Sequence, residues 1–199
     1  MKDLAAEISA DAKTLTELYQ RIKTTYANRG RDWSDWEKAC REYHSKYRLL
    51  FFPGGEQRWQ AFINRDPSEI DTAITYLEVD PVLHRSGYIK QSIWNRLKSS
   101  VLSSQQKQRI EELALTCLNN PIRAEFWYMG RYLRVRGSDE LWNSINSLSK
   151  QQTDSATLKA HWLVLMRKNL PAQRLISNEY LRARYKVGYV PDLTLSQIK

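Results

Sequence analysis

Apolar residues recur along this chain at three- and four-residue intervals, and the clearest run lies near its middle. Ile110, Leu113, Ala114, Cys117 and Leu118 fall at i, i+3, i+4, i+7 and i+8, which lines one face of a 3.6-residue helix. Asn119-Asn120-Pro121 ends that pattern. Asn120 is expected to cap a following helix, with Pro121 in its first turn and Gly137 in the left-handed position after its last. This second helix turns Ile122, Phe126, Met129 and Leu133 inward, and residues 104–137 read as a helical hairpin.

Upstream, Leu4, Ile8, Leu15, Leu18, Ile22 and Tyr26 keep helical spacing and predict a helix from about Lys2 to Asn28. Arg29-Gly30-Arg31 breaks it. Asp32 or Ser34 can cap a second helix, whose Trp33, Trp36, Cys40, Tyr43, Tyr47 and Leu50 follow a near-heptad seam. The two stripes predict an antiparallel pair with an aromatic core. Phe51-Phe52-Pro53-Gly54-Gly55 is the strongest breaker in the sequence. It lacks the spaced glycines and the lysine of a phosphate-binding loop.

A short helix with Trp59, Phe62 and Ile63 follows. Asp66-Pro67-Ser68-Glu69 is then a helix start, with Asp at the cap and Pro at the first position. Further starts fall near Ser86, Ser104, Pro121, Ser138-Asp139, Asp154 and Pro171. Two helices per ~35 residues is the rhythm of stacked helical hairpins. The expected fold is therefore all-α: stacked antiparallel helical hairpins, arranged as a HEAT-like array or an irregular helical bundle. Residues 1–52 would form an N-terminal hairpin packed on the rest, 56–187 the HEAT-like hairpins and 188–199 a tail, all as one structural unit.

Composition adjusts this picture in few places. Hydrophobic residues make up 42% of the 199 positions, enough for a core. No apolar run approaches the ~20 residues of a membrane span, and the acidic, amphipathic N-terminus does not read as a signal peptide. Cys40 and Cys117 each fall on an apolar stripe and are expected as buried reduced thiols, consistent with a cytoplasmic protein. The net charge of +9 is uneven. Residues 1–66 carry 12 Lys/Arg and 10 Asp/Glu, residues 67–158 carry 11 and 10, and residues 159–199 carry 8 and 2. A clustered positive field attracts an acidic partner.

Trp36-Glu37-Lys38-Ala39-Cys40-Arg41-Glu42-Tyr43-His44-Ser45-Lys46-Tyr47, Phe52-Pro53-Gly54-Gly55 and Arg85-Ser86-Gly87-Tyr88 together resemble a group of bacterial α-helical proteins with HEAT-like character. The resemblance spans roughly residues 33–136. It implies a helical fold and a bacterial origin, and it brings no catalytic residue.

The three histidines, His44, His84 and His161, show no metal-binding spacing, and the cysteines form no CxxC. No nucleophile elbow, Walker or dinucleotide motif occurs. Carboxylates beyond residue 112 sit mostly at helix starts, where capping and the helix dipole account for them. Glu125, beside Phe126, Trp127 and Tyr128, is the one candidate for an acid in a nucleic-acid-processing site. The expectation is a non-enzymatic binding protein with no catalytic residue, cofactor, metal, membrane contact or small-molecule substrate.

Arginines interleave with aromatics in 123–136 and 174–186. The expected partner-binding residues are Arg123, Trp127, Tyr128, Arg131, Arg134, Arg136, Arg182, Arg184, Tyr185 and Lys186. Such a surface suits an acidic protein partner, because Arg, Trp and Tyr dominate interface hot spots. A bacterial immunity or defence accessory role is one that fits. The alternative is a nucleic-acid binder that uses the same arginines on phosphates and the aromatics on unpaired bases.

Overall fold

The computed structural model describes residues 3–120, 123–150 and 155–168. It is all-α. Among the described residues there are nine α-helices, one 3-10 turn and no strand. The helices are α1 (Leu4–Ala27), α2 (Trp33–Leu50), α3 (Gly55–Ile63), α4 (Ile70–Val79), α5 (Ser86–Ser99), α6 (Ser104–Cys117), α7 (Phe126–Arg136), α8 (Asp139–Leu148) and α9 (Ser155–Arg167). None is long and apolar enough to cross a membrane. The expected helix at Pro171 and the tail from 188 lie outside the described residues.

Contacts divide the chain into two compact units: Met1–Leu113 with Arg123–Met129, and Ala114–Ile122 with Gly130–Lys199. In the first unit, Asp3 caps α1 by accepting from the Ala5 and Ala6 amides, and Asp32 caps α2 by accepting from Asp35 at 3.0 Å. The two helices run antiparallel: Tyr19 meets Tyr43 at 5.7 Å between ring centroids, and Tyr26 meets Trp36 at 5.9 Å. The aromatic seam is buried only in its middle. Ala39 and Tyr43 are in the core, whereas Trp33 at the helix start is 59% exposed and packs edge-on against Trp36.

The corner after α2 needs its glycines. Gly54 and Gly55 have φ of 74° and 71°, and a Cβ on Gly55 would lie 2.9 Å from the Arg48 carbonyl oxygen. Both the backbone conformation and the close approach exclude a side chain there. Asp66 starts the next element as expected, but the first turn is 3-10, and α4 begins at Ile70. Ile70, Ala73, Ile74 and Leu77 are all buried. Ser103 and Gln106 form a reciprocal capping box at α6, with bonds of 3.2 and 3.0 Å. Arg109 ties α6 to α4 by donating to Glu78, Asp71 and Thr75.

In the second unit, Ser138 caps α8. Leu133, Leu141, Trp142, Ile145, Trp162 and Leu163 form its core. Gly137 corrects an expectation. Its φ is not left-handed; the requirement is space, because a Cβ would sit 2.8 Å from the Leu133 oxygen and 2.9 Å from Trp142 Nε1. The cysteines also differ from expectation, since Cys40 and Cys117 are half-buried thiols.

Candidate functional site

The start of α7 falls later than its proline suggested. α7 begins at Phe126, and Arg123–Glu125 form a turn whose carbonyls receive the Phe126, Tyr128 and Met129 amides. Ion pairs engage this turn. In the first unit, Arg123 donates to Asp80 Oδ2 at 2.9 Å. The other oxygen of Asp80 accepts from the Lys90 ammonium, which is 1% exposed. Glu125 Oε1 lies 3.7 Å from the same ammonium, and its side chain is only 14% exposed. Asp80 itself sits at φ 50°, a left-handed conformation that Asp tolerates better than most residues. Arg123 and Glu125 are thus engaged in a charge cluster that fixes the 123–125 turn.

The sequence carried little sign of this cluster. Lys90 lies one turn before the buried Trp94, on a flank of the Ile89–Ile93–Leu97 stripe, and its partners are 10 and 35 positions away. Lys159 in the second unit is similarly hidden. It is 1% exposed and donates to the Leu118 and Asn120 carbonyls, each at 2.6 Å.

The remaining candidates on α7 divide between the units. Trp127 and Tyr128 belong to the first; both are half-buried, and Phe126 meets Trp127 edge-on at 5.1 Å. Arg131, Arg134 and Arg136 belong to the second. Arg131 is half-buried, whereas Arg134 and Arg136 are exposed. Val135 between them is 59% exposed. Phe126, Met129, Tyr132 and Leu133 occupy the inner face of the helix. Arg182, Arg184, Tyr185 and Lys186 lie outside the described residues.

The unit boundary sharpens the charge asymmetry. The second unit has 12 Lys/Arg and 5 Asp/Glu, a net +7; the first has 19 and 17, a net +2. Among the described residues of the second unit, the acids are Asp139 and Glu140 at the start of α8, and Asp139 pairs with Arg167 at 3.2 Å. No group of three or more His, Cys, Asp and Glu among the described residues is placed to hold a metal ion.

No protein-family model, curated protein or solved structure matches this chain.

Proposed function

We propose that this chain is a non-enzymatic binding protein whose basic second unit engages an acidic protein surface. The observation that carries the reading is the +7 charge of that unit, with Arg134 and Arg136 exposed on α7. Val135 favours a protein over a polyanion. An exposed aliphatic residue flanked by arginines matches the apolar centre and polar rim of an interface, and it offers a phosphate backbone nothing. A set of helical hairpins presents such a surface without a reactive cleft, and a bacterial immunity or defence accessory is the kind of role it would serve in the cytoplasm.

Fluorescence anisotropy with labelled single- and double-stranded DNA and RNA, at about 50 and 200 mM salt, tests this reading against its alternative. Weak binding at the lower salt agrees with a protein partner. Tight binding that collapses at the higher salt would replace the proposal with nucleic-acid recognition.

A further inference from the structure

One stripe of α1 borders a groove in the first unit. Its residues are Ser9, Ala12, Lys13, Thr16 and Glu17, at the i, i+3, i+4, i+7 and i+8 spacing of a single helical face. The facing wall is Val79 at the end of α4, with Asp80, Pro81 and Val82 from the corner that follows. All of these residues belong to the first unit. The groove is open and has a volume of about 530 Å³, in the range that holds a small molecule. Thr16 joins the two walls by donating to the Val82 carbonyl at 3.3 Å.

The apolar part of the lining is Ala12, Val79, Pro81 and Val82, and Val82 is 65% exposed. Three polar groups of the lining are already engaged. Ser9 and Thr16 donate to the Ala5 and Ala12 carbonyls of their own helix, and the Asp80 carboxylate is held by Lys90 and Arg123. Lys13 and Glu17 are different. Both are exposed, and among the described residues neither forms an ion pair. They stand one turn apart, about 5–6 Å between Cβ atoms, with the lysine first, which is the weaker order for an i, i+4 pair. The groove therefore presents an unpaired ammonium, an unpaired carboxylate and an apolar wall.

We propose that this groove binds a zwitterionic α-amino acid with an aliphatic side chain. Lys13 donates to the ligand carboxylate, Glu17 accepts from the ligand ammonium, and the side chain covers Val82 and its apolar neighbours. The two polar contacts are charge-assisted, and covering exposed aliphatic surface adds to them. A ligand of one sign is attracted by one of the two residues and repelled by the other, so the pair selects a dipolar molecule. Asp80 does not upset that selection, because its charge is answered by Lys90 and Arg123. The site is separate from the basic surface of the second unit and does not rest on the function proposed for it.

The test is a titration of the full-length chain with leucine, leucinamide, N-acetylleucine and glycine, followed by amide NMR shifts at constant pH and ionic strength. Leucinamide lacks the carboxylate, N-acetylleucine the ammonium and glycine the side chain. The proposal expects saturable shifts at residues 12, 13, 16, 17, 79 and 82 with leucine, with a Kd below about 10 mM. It expects each of the other three probes to bind about threefold more weakly or worse, as for loss of one exposed contact. Lys13→Gln should weaken leucine about threefold without weakening leucinamide. Glu17→Gln should weaken leucine by a similar factor without weakening N-acetylleucine. Both positions are exposed and unpaired, so the fold tolerates either change. Absence of saturation with leucine, equal binding of any of the other probes, or unchanged leucine affinity in either variant overturns the proposal.

Discussion

The Lys159 ammonium donates to the carbonyl oxygen of Leu118 at 2.6 Å, just past the last residue of α6. A helix C-terminus leaves carbonyls without intrahelical donors, and it is the negative end of the helix dipole. Lys159 answers both needs from within the core of the second unit, since it also binds the Asn120 carbonyl. Lys159→Met keeps the aliphatic stem and strands both carbonyls. We expect a loss of about 2–3 kcal/mol in urea unfolding. A loss under about 0.5 kcal/mol would show that these bonds contribute nothing net.

Lys90 is held by Asp80 and faces Glu125. Removing a partner from a buried charge costs more than the pair itself contributes. Asp80→Asn retains the left-handed backbone preference but halves the compensation of Lys90. We expect about 2–3 kcal/mol of destabilisation. Glu125→Gln, at the longer distance, should cost less. The reverse order would place the main counter-charge on Glu125.

Gly55→Ala places a methyl against the Arg48 carbonyl at a φ of 71°. Strain and close approach together predict a loss of about 2 kcal/mol or more. Gly30→Ala, where the added carbon meets nothing within 4 Å, should change stability little. Thermal denaturation of the two variants side by side checks the contrast.

His84 and His161 both titrate below the ordinary histidine value of 6.5. Burial is the first cause in each; Arg85 and Lys23 add to it at His84, and Lys168 at His161. The unfolded chain therefore takes up protons at higher pH than the folded one. The stability that these two histidines contribute is fully present above pH 6.5 and is lost as pH falls through their lower folded values. The thermal midpoint should be lower at pH 5 than at pH 7.5, and a His84→Asn/His161→Asn variant should show a smaller difference. An equal difference would assign the acid sensitivity to other groups.

Much of the helical framework was legible in the chain. The stripes at Ile110–Leu118 and Ile70–Leu77 marked buried faces, and Asp32, Asp66 and Ser138 marked helix starts, because these signals are local. What local signals missed depends on distant partners. Pro121 pointed to an early start for α7, but the tie of Arg123 to Asp80, 43 positions away, holds the 123–125 turn. Gly137 looked like a backbone requirement, yet the constraint comes from Leu133 and Trp142. The burial of Lys90 and Lys159 left no local mark in the sequence, because their acceptors lie 10 or more positions away. On α7, Arg134 and Arg136 follow the outward phase of the stripe, whereas Arg123 is occupied by a pairing that no periodicity reveals.

The central claim is that the basic second unit recognises an acidic protein. The direct measurement is affinity capture from the source cells, after nuclease treatment, with the wild-type chain and an Arg131→Glu/Arg134→Glu/Arg136→Glu variant matched for thermal midpoint. The account predicts an acidic protein that survives nuclease, is retained by the wild type and is lost from the variant. Capture that vanishes with nuclease, or that the charge reversal leaves unchanged, would contradict it.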